Sequence, residues 1–167
     1  MKSSGFTLLE ILVVVAIIGI LASLSVFSFR DLILRYRVEN QIQTLYSDLM
    51  NLRLAAMHRN RTCFLVLSQN SYKGYEDSYP SPFGNDTLDG QDNLILPEKR
   101  VEFPFSESST QDVIFDSRGF SKTNKTICVF STVKPQYDCL KVSKTKLTLG
   151  KLKNISGECK SENCEDR

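Results

Sequence analysis

The sequence predicts an α+β protein in which one long N-terminal helix packs on an antiparallel β-sheet. The first observation behind this prediction is that no proline occurs before Pro80 and that the chain follows a helical pattern up to about residue 60. The second is that short β-type runs, separated by turn-forming residues, fill the rest of the chain. A helical segment followed by a series of strands is typical of α+β domains, and 167 residues are enough for one such domain.

The composition excludes several classes of protein. Hydrophobic residues make up 41% of the chain, charged residues make up 24%, and the net charge is +2. These values exclude a disordered acidic tail and a strongly basic nucleic-acid binder. The five cysteines all lie at or beyond Cys63, and this number favours an oxidising compartment over the reducing cytosol.

An uncharged apolar segment lies at the start of the helical pattern. Residues 11–29 are 19 residues without a charged side chain, which is just long enough to cross a bilayer core as a helix. A cleaved secretory signal peptide and a plain single-span anchor would both produce this pattern. Glu10 borders the segment and fits neither interpretation, because an unpaired carboxylate at that depth costs about 2.5–3.5 kcal/mol.

The residues around Glu10 resemble the prepilin leader of type IV pilins and type II secretion pseudopilins. From Gly5 to Glu10 the chain reads Gly-Phe-Thr-Leu-Leu-Glu, and the apolar segment follows directly. The resemblance implies that a prepilin peptidase cleaves between Gly5 and Phe6 and methylates the new amino group of Phe6. It also implies a filament in which this amino group neutralises Glu10 of a neighbouring subunit.

The resemblance further implies an organisation and a location. Residues 1–5 are then a cleaved leader, 6–29 a transmembrane and assembly helix, 30–60 the amphipathic half of the same helix, and 61–167 a soluble β-rich domain that packs on that half. The protein is expected to span the bacterial inner membrane once, with its C-terminal domain in the periplasm. Its expected partners are other pilin or pseudopilin subunits, prepilin peptidase and the inner-membrane assembly platform.

A count of positive charges opposes this orientation. Arg30, Arg35 and Arg37 follow the apolar segment, and a simple application of the positive-inside rule would leave the C-terminal domain in the cytoplasm. Long domains, however, translocate largely regardless of charge, and the cysteines favour an oxidising side. We therefore keep the periplasmic orientation as the expectation.

The second half of the predicted helix carries a single apolar stripe. The residues of this stripe recur at spacings of four and three: Val38, Ile42, Leu45, Leu49, Leu52 and Ala56. Such a stripe predicts a helix with one face against a soluble core. We expect one unbroken helix from near Phe6 to about Asn60, roughly 80 Å long. His58, the one histidine of the sequence, is then a solvated residue at the helix end rather than a ligand.

Beyond the helix, the sequence favours seven short strands. They are predicted at Thr62–Leu67, Asn93–Leu96, Val101–Phe105, Asp112–Asp116, Thr126–Thr132, Tyr137–Ser143 and Lys146–Leu152. The helix end at 52–61 and the strand followed by a glycine turn at 112–120 resemble the GspH/FimT group of minor pilins and pseudopilins. This second resemblance implies a pilin-like fold.

Charges are segregated along the predicted β-rich domain. Residues 74–116 contain ten acidic and two basic side chains, a net charge of −8, whereas residues 134–153 have a net charge of +5. Solvated loops and strand faces would account for both. Alternatively, the two surfaces mate between subunits, or the lysine-rich end binds an anion such as DNA.

The lysine-rich end has a partial resemblance to DNA-binding pilins. Some FimT-type pilins bind DNA through a Gly-Arg-x-Arg pattern, to which the sequence Gly-Lys-Leu-Lys at 150–153 is similar. Lysine keeps the positive charge but loses the bidentate geometry of arginine. The candidate DNA-binding residues are Lys144, Lys146, Lys151 and Lys153.

The cysteine spacing favours two local disulfides. Cys128 and Cys139 lie on consecutive predicted strands, and Cys159 and Cys164 are close together in a polar tail. We expect Cys128–Cys139 and Cys159–Cys164, with Cys63 free and buried. Pairing of Cys63 with a later strand is the main alternative, because sequence alone leaves the connectivity open.

The sequence does not favour a metal, a cofactor or catalysis. Residues 85–93 are rich in carboxylates and amides that suit calcium, but their spacing departs from the EF-hand loop, and Asp and Gly are common in ordinary turns. A zinc site is poorly supported, because the sequence has no repeated Cys-x-x-Cys and has only one histidine. We find no Ser-His-Asp set, phosphate loop or paired His-Glu motif, so we expect a protein that is not an enzyme.

The sequence thus predicts a structural subunit, a minor pilin or pseudopilin of a type II secretion pseudopilus or a type IV pilus assembly. The alternatives are a DNA-binding minor pilin for DNA uptake in natural transformation and a plain secreted protein that loses its first 25 or so residues.

Overall fold

The computed structural model describes residues 7–82 and 84–167, and it describes residues 22–28 of the helix by their backbone only. Among the residues that it describes fully, no helix is both long enough and apolar enough to cross a membrane. Of the predicted membrane segment 6–29, Phe6 and the side chains of residues 22–28 lie outside the described residues.

One helix spans residues 8–59, nearly all of the described part of the first third of the chain. Helix α1 runs from Leu8 to Arg59 without interruption, which confirms the predicted unbroken helix. Thr7 is its N-cap, and the Thr7 hydroxyl accepts a hydrogen bond from the Glu10 N–H at 3.3 Å. At the other end, Asn60 adopts the left-handed conformation with φ 53°. Asparagine tolerates that conformation better than most residues, so it ends the helix and turns the chain toward the first strand.

In the part of the chain that the structure describes, nine strands follow the helix and form two antiparallel sheets. They are β1 (Cys63–Leu67), β2 (Ser71–Glu76), β3 (Asn93–Arg100), β4 (Phe105–Glu107), β5 (Val113–Phe115), β6 (Lys125–Val129), β7 (Cys139–Val142), β8 (Leu147–Leu152) and β9 (Cys164–Asp166). The strand order is β3-β2-β1-β5 in sheet A and β4-β6-β7-β8-β9 in sheet B. The α+β class is confirmed, with two sheets in place of the one expected.

Sheets and helix share one hydrophobic core. All six residues of the predicted stripe are buried: Val38, Ile42, Leu45, Leu49, Leu52 and Ala56. They pack against residues of both sheets, among them Leu65 and Val113 of sheet A and Ile127 and Leu140 of sheet B. The helix packs tightly on sheet A at Gly74, where an added Cβ would lie 2.9 Å from Leu52 Cδ1 on the helix and 2.9 Å from Leu96 Cβ on β3. Only glycine fits this contact without a shift of the helix or the sheet.

Polar contacts fix the helix on the rest of the domain. The Asp48 carboxylate, at the edge of the buried stripe, accepts a hydrogen bond from the Tyr72 hydroxyl at 2.6 Å and pairs with Lys99 at 2.8 Å. Burial and the nearby Asp48 carboxylate raise the pKa of Tyr72 well above its usual range. Tyr72 therefore stays protonated and donates to Asp48, which satisfies a carboxylate that burial would otherwise penalise.

The strand predicted at Val101–Phe105 is wrong. The chain crosses from sheet A to sheet B in this segment, and only Phe105 belongs to a strand. The Gln41 side chain on the helix binds the crossing backbone, accepting from the N–H groups of Glu102 and Phe103 at 3.1 and 3.0 Å and donating to the Phe103 carbonyl at 2.7 Å. These backbone groups are satisfied by a side chain rather than by a neighbouring strand.

Replacing Leu45 tests the dependence of both sheets on the helical stripe. Leu45 is fully buried, so Leu45→Ala should lower the free energy of unfolding by about 2–5 kcal/mol through lost burial and a residual cavity. Denaturant unfolding of the purified full chain in mild detergent, followed by circular dichroism, measures this change.

Leu54 on the same helix is the matched control, since its side chain is 54% exposed. Leu54→Ala should change the free energy of unfolding by no more than about 0.5 kcal/mol. Equal losses in the two variants would contradict the assignment of the core.

Candidate functional site

The amino-terminal end of the helix presents a carboxylate beside a long apolar surface. Glu10 lies in the first helical turn, where an acidic side chain is favoured by the positive end of the helix dipole. Its side chain is exposed, and no ion pair involves it among the described residues. The predicted cleavage residues Gly5 and Phe6 lie outside the described residues. The arrangement leaves the Glu10 carboxylate accessible to a cation on another molecule.

The helix around Glu10 is apolar on every side. Each large hydrophobic side chain from Leu8 to Leu21 is exposed, by 47% to 84% of its surface. Exposed apolar side chains continue toward the domain at Phe29, Leu32, Ile33 and Tyr36. Exposed apolar side chains in such numbers are typical of a contact surface for protein or lipid. Glu10 is the one charged side chain among residues 8–21 of this surface.

The opposite end of the helix is held by a buried carboxylate. Glu76 of β2 has only 5% of its surface exposed and pairs with Arg59, at the helix end, and with Arg61, at 3.6 Å. His58 beside them is exposed, as expected for a solvated residue at the helix end. The arginines that characterise this helix end thus neutralise a buried acid of sheet A.

Some carboxylates of the acidic segment, residues 74–116, are buried and bind backbone N–H groups instead of forming a solvated surface. Asp77 is 1% exposed, and its carboxylate accepts hydrogen bonds from the N–H groups of Asn85 and Asp86 at 3.1 and 2.6 Å. The Asp92 carboxylate accepts from three more N–H groups of the same loop, those of Ser78, Tyr79 and Asp89. Among the described residues, no group of three or more His, Cys, Asp or Glu side chains is placed to hold a metal ion. These carboxylates therefore organise the loop itself.

The predicted disulfide pairing is wrong. Cys128 of β6 pairs with Cys159, and Cys139 of β7 pairs with Cys164 of β9. Each bond thus links β6 or β7 to the polar tail (residues 153–167), instead of linking β6 to β7 and Cys159 to Cys164. The reason is strand β9, which the polar composition of the tail did not predict. It pairs with β8 and brings Cys164 opposite Leu152 on the outer face of sheet B. Cys63 is free and buried, as predicted.

Gly150 is the residue that allows the tail to approach. An added Cβ on Gly150 would lie 2.7 Å from Cys164 Sγ, 3.1 Å from Cys139 Sγ and 2.6 Å from the Glu165 carbonyl oxygen. The distances to Cys164 Sγ and to the Glu165 carbonyl oxygen are shorter than real Cβ contacts allow, and the distance to Cys139 Sγ is tight. The glycine of the Gly-Lys-Leu-Lys sequence therefore has a structural role in the Cys139–Cys164 crosslink.

The structure does not bring the four candidate DNA-binding lysines together. Lys144 and Lys146 lie at the turn between β7 and β8, whereas Lys151 and Lys153 lie at the far end of β8. Lys146 and Lys151 are five residues apart, about 17 Å along a strand. Lys151 lies directly opposite Glu165 of β9, and Lys146 is 3.7 Å from Asp166. The acidic residues of β9, which the count over residues 134–153 left out, offset this positive charge.

A different set of lysines lines a surface cleft of about 680 Å³ at the turn end of sheet B. These are Lys125, Lys141, Lys144 and Lys160. Three of them have carboxylate partners within the chain, namely Glu107, Asp166 and Glu158. The positive charge of the cleft is thus largely compensated, and the sequence alone could not reveal this grouping because its members come from three separate segments.

Comparison with known proteins yields one match. Residues 1–26 match the model of a prokaryotic N-terminal methylation motif. No significant match was found among curated proteins or among solved structures. The chain therefore carries the kind of amino terminus found in type IV pilins and pseudopilins, and the match covers residues 1–26 of its 167.

Replacing Gly150 tests its role in the second crosslink. Gly150→Ala should prevent closure of the Cys139–Cys164 bond in a large fraction of molecules, because the added methyl group occupies the space of Cys164 Sγ. Thiol alkylation of the denatured, unreduced protein followed by mass spectrometry should then find two additional free cysteines. Gly90→Ala is the control, since nothing lies within 4 Å of a Cβ at Gly90. A normal thiol count in Gly150→Ala would contradict the assigned role.

Asp138, which precedes Cys139 on β7, gives a pH-dependent prediction. Its carboxyl is buried and accepts a hydrogen bond from the Leu152 N–H at 2.6 Å, and desolvation raises its pKa above the ordinary value of 3.8. A raised pKa in the folded state means that stability is lost as pH rises from 3.8 through the folded-state value. Asp138→Asn should therefore be more stable than the wild type at pH 7, with a difference that shrinks toward zero below the ordinary pKa.

The control is Asp166→Asn, whose effect has the opposite sign. The hydrogen bond from Lys141 lowers the pKa of Asp166, so the wild type should be the more stable protein at pH 7 and lose that advantage as pH falls below 3.8. Thermal unfolding of both variants from pH 2 to pH 7 is the measurement. An Asp138→Asn difference that does not change with pH would show that desolvation of the charge is not its cause.

Proposed function

We propose that this protein is a minor pilin or pseudopilin of the GspH/FimT type, a structural subunit of a type II secretion pseudopilus or a type IV pilus assembly. The observation that carries the proposal is the N-terminal methylation motif at residues 1–26, joined to one continuous helix that extends into a β-rich domain. Prepilin peptidase cleaves between Gly5 and Phe6 and methylates the Phe6 amino group. The mature protein resides in the bacterial inner membrane with its C-terminal domain in the periplasm.

Charge pairing drives the proposed assembly. An unpaired Glu10 carboxylate costs about 2.5–3.5 kcal/mol within an apolar environment. The α-amino group of the mature chain, at Phe6, supplies the positive charge that can neutralise this carboxylate. When two helices lie side by side with an axial offset, the Phe6 amino group of one subunit reaches Glu10 of the next. Recruitment of each subunit then relieves the cost that the previous carboxylate incurred.

The rest of the chain has a structural role in this proposal. The exposed apolar surface of Leu8–Leu21 supplies the helix-to-helix contact, where van der Waals packing stabilises association. The β-rich domain covers the second half of α1 and is displayed on the outside of the filament. The two disulfides, Cys128–Cys159 and Cys139–Cys164, suit a domain exposed to an oxidising compartment.

Replacing Glu10 tests the charge-pairing step. Glu10→Ala should leave cleavage and methylation of Phe6 intact and should reduce incorporation into filaments by about 10-fold or more, because 1.4 kcal/mol of lost pairing energy corresponds to about 10-fold in an equilibrium. Mass spectrometry of the amino terminus measures processing, and immunoblotting of sheared or cross-linked filaments measures incorporation.

Asp31→Ala is the control for this experiment, because Asp31 is an exposed acid on the same helix. It should be processed and incorporated like the wild type. Normal incorporation of Glu10→Ala would refute the charge-pairing mechanism, and an uncleaved amino terminus in the wild type would refute the prepilin assignment. A clean deletion scored in parallel for protein secretion, twitching motility and DNA uptake assigns the machine.

A further inference from the structure

Four cysteines meet on the outer face of sheet B. Cys128 and Cys139 are direct partners on β6 and β7, and Cys159 and Cys164 of the tail lie over them. The Val129 N–H donates to the Asp138 carbonyl at 2.8 Å, which makes Cys128 and Cys139 a non-hydrogen-bonded pair. The Cα atoms of such pairs are about 4.5 Å apart, within the usual disulfide range of about 4.4–6.8 Å. The two sheet cysteines are therefore placed to bond with each other.

Chain length favours this local bond over the bonds in the folded protein. Cys128 is 11 residues from Cys139 but 31 from Cys159, so loop closure favours Cys139 as its partner by roughly 5-fold. Cys164 is 5 residues from Cys159 but 25 from Cys139, which favours Cys159 by roughly 10-fold. Two local disulfides, Cys128–Cys139 and Cys159–Cys164, should accordingly close first in an unfolded or emerging chain.

Folding of the tail onto sheet B favours the pairs Cys128–Cys159 and Cys139–Cys164. In the folded protein β9 pairs with β8, Lys141 pairs with Asp166, and the four sulfur-bearing residues are at most 8% exposed. A disulfide between Cys159 and Cys164 cannot coexist with the contacts that each of them makes on the sheet. The folded tail also shields the cluster, so any change of pairing must take place before the tail has docked.

We propose that the protein reaches its folded connectivity by thiol–disulfide exchange from the two local disulfides, and that it is a substrate of a partner protein with an exposed, reactive cysteine thiolate. The catalyst thiolate attacks Cys128 Sγ, breaks the Cys128–Cys139 bond, forms a mixed disulfide and releases the Cys139 thiolate. Cys139 then attacks Cys164 Sγ, which forms Cys139–Cys164 and releases the Cys159 thiolate. Cys159 attacks Cys128 Sγ, forms Cys128–Cys159 and regenerates the catalyst thiolate. Three bonds form and three break, with no net transfer of electrons or protons.

Cys63 does not take part in this exchange. It lies on β1 in the core between α1 and sheet A, with no exposed surface. Burial and the nearby Glu76 carboxylate raise its pKa to about 12, so almost none of it is thiolate at neutral pH. A thiol attacks a disulfide only as the thiolate. The odd cysteine of the chain is thus kept from competing with Cys139 and Cys159 once the core has formed.

Reoxidation of the reduced, denatured full chain in detergent tests the proposal. Acid-quenched samples are digested without reduction, and the disulfide-linked peptides are identified by mass spectrometry. With a thiol-free oxidant, Cys128–Cys139 and Cys159–Cys164 should predominate over the folded pairs by roughly 5-fold or more. Addition of reduced and oxidised glutathione as the exchange catalyst should convert them to Cys128–Cys159 and Cys139–Cys164. Direct appearance of the folded pairs without a catalyst would overturn the proposal.

A pair of variants keeps the test independent of correct folding. Cys159→Ser/Cys164→Ser should form Cys128–Cys139 on oxidation, and Cys128→Ser/Cys139→Ser should form Cys159–Cys164. If the remaining cysteines stay free in either double variant, the local bonds do not form and the proposal fails. The results do not depend on cleavage or filament assembly, so they are separate from the proposed function.

Discussion

The apolar stripe on the second half of α1 is the constraint on which the rest of the structure depends. Sheet A and sheet B are each too small to enclose a core alone, and both bury their inner faces against the same six side chains. Asp48 and Gln41 then add polar contacts at the edges of this stripe, which fix the strand β3 and the crossing segment at their places along the helix. The positions of both sheets are therefore set by their packing on one rigid helix.

The polar tail of the chain packs on the outer face of sheet B. The polar tail could not stay there through hydrophobic burial, because it contributes few apolar side chains besides its two cysteines. The two disulfides and the pairing of β9 with β8 hold the tail on the sheet instead. Gly150 leaves the space that the Cys164 sulfur occupies. Small domains frequently use covalent links where apolar burial is insufficient. In this protein both disulfides lie on the outer face of sheet B.

The sequence predicted the structure correctly where it contains a periodic apolar pattern or a long segment without helix-breaking residues. The stripe from Val38 to Ala56 and the absence of proline predicted the helix almost to its ends, and the residues from Gly5 to Glu10 identified the amino-terminal motif. The pairing of Cys128 and the existence of β9 depended instead on contacts between distant segments, which local spacing does not encode. The acidic residues illustrate the same limit, since Asp77 and Asp92 look solvated in sequence but bind backbone N–H groups of their own loop.

The continuity of α1 has a mechanical consequence. Each residue of an α-helix advances the chain by about 1.5 Å and turns it by about 100°. The number of residues between Glu10 and Val38 therefore sets the direction in which the β-rich domain projects from the helix axis, relative to Glu10. One residue more or less in that interval would swing the domain by more than a quarter of a turn relative to the Glu10 carboxylate while hardly altering its height. The helix therefore sets the rotation of the domain as well as its distance from Glu10. Its length in residues determines which side of the domain each neighbour in an assembly would meet.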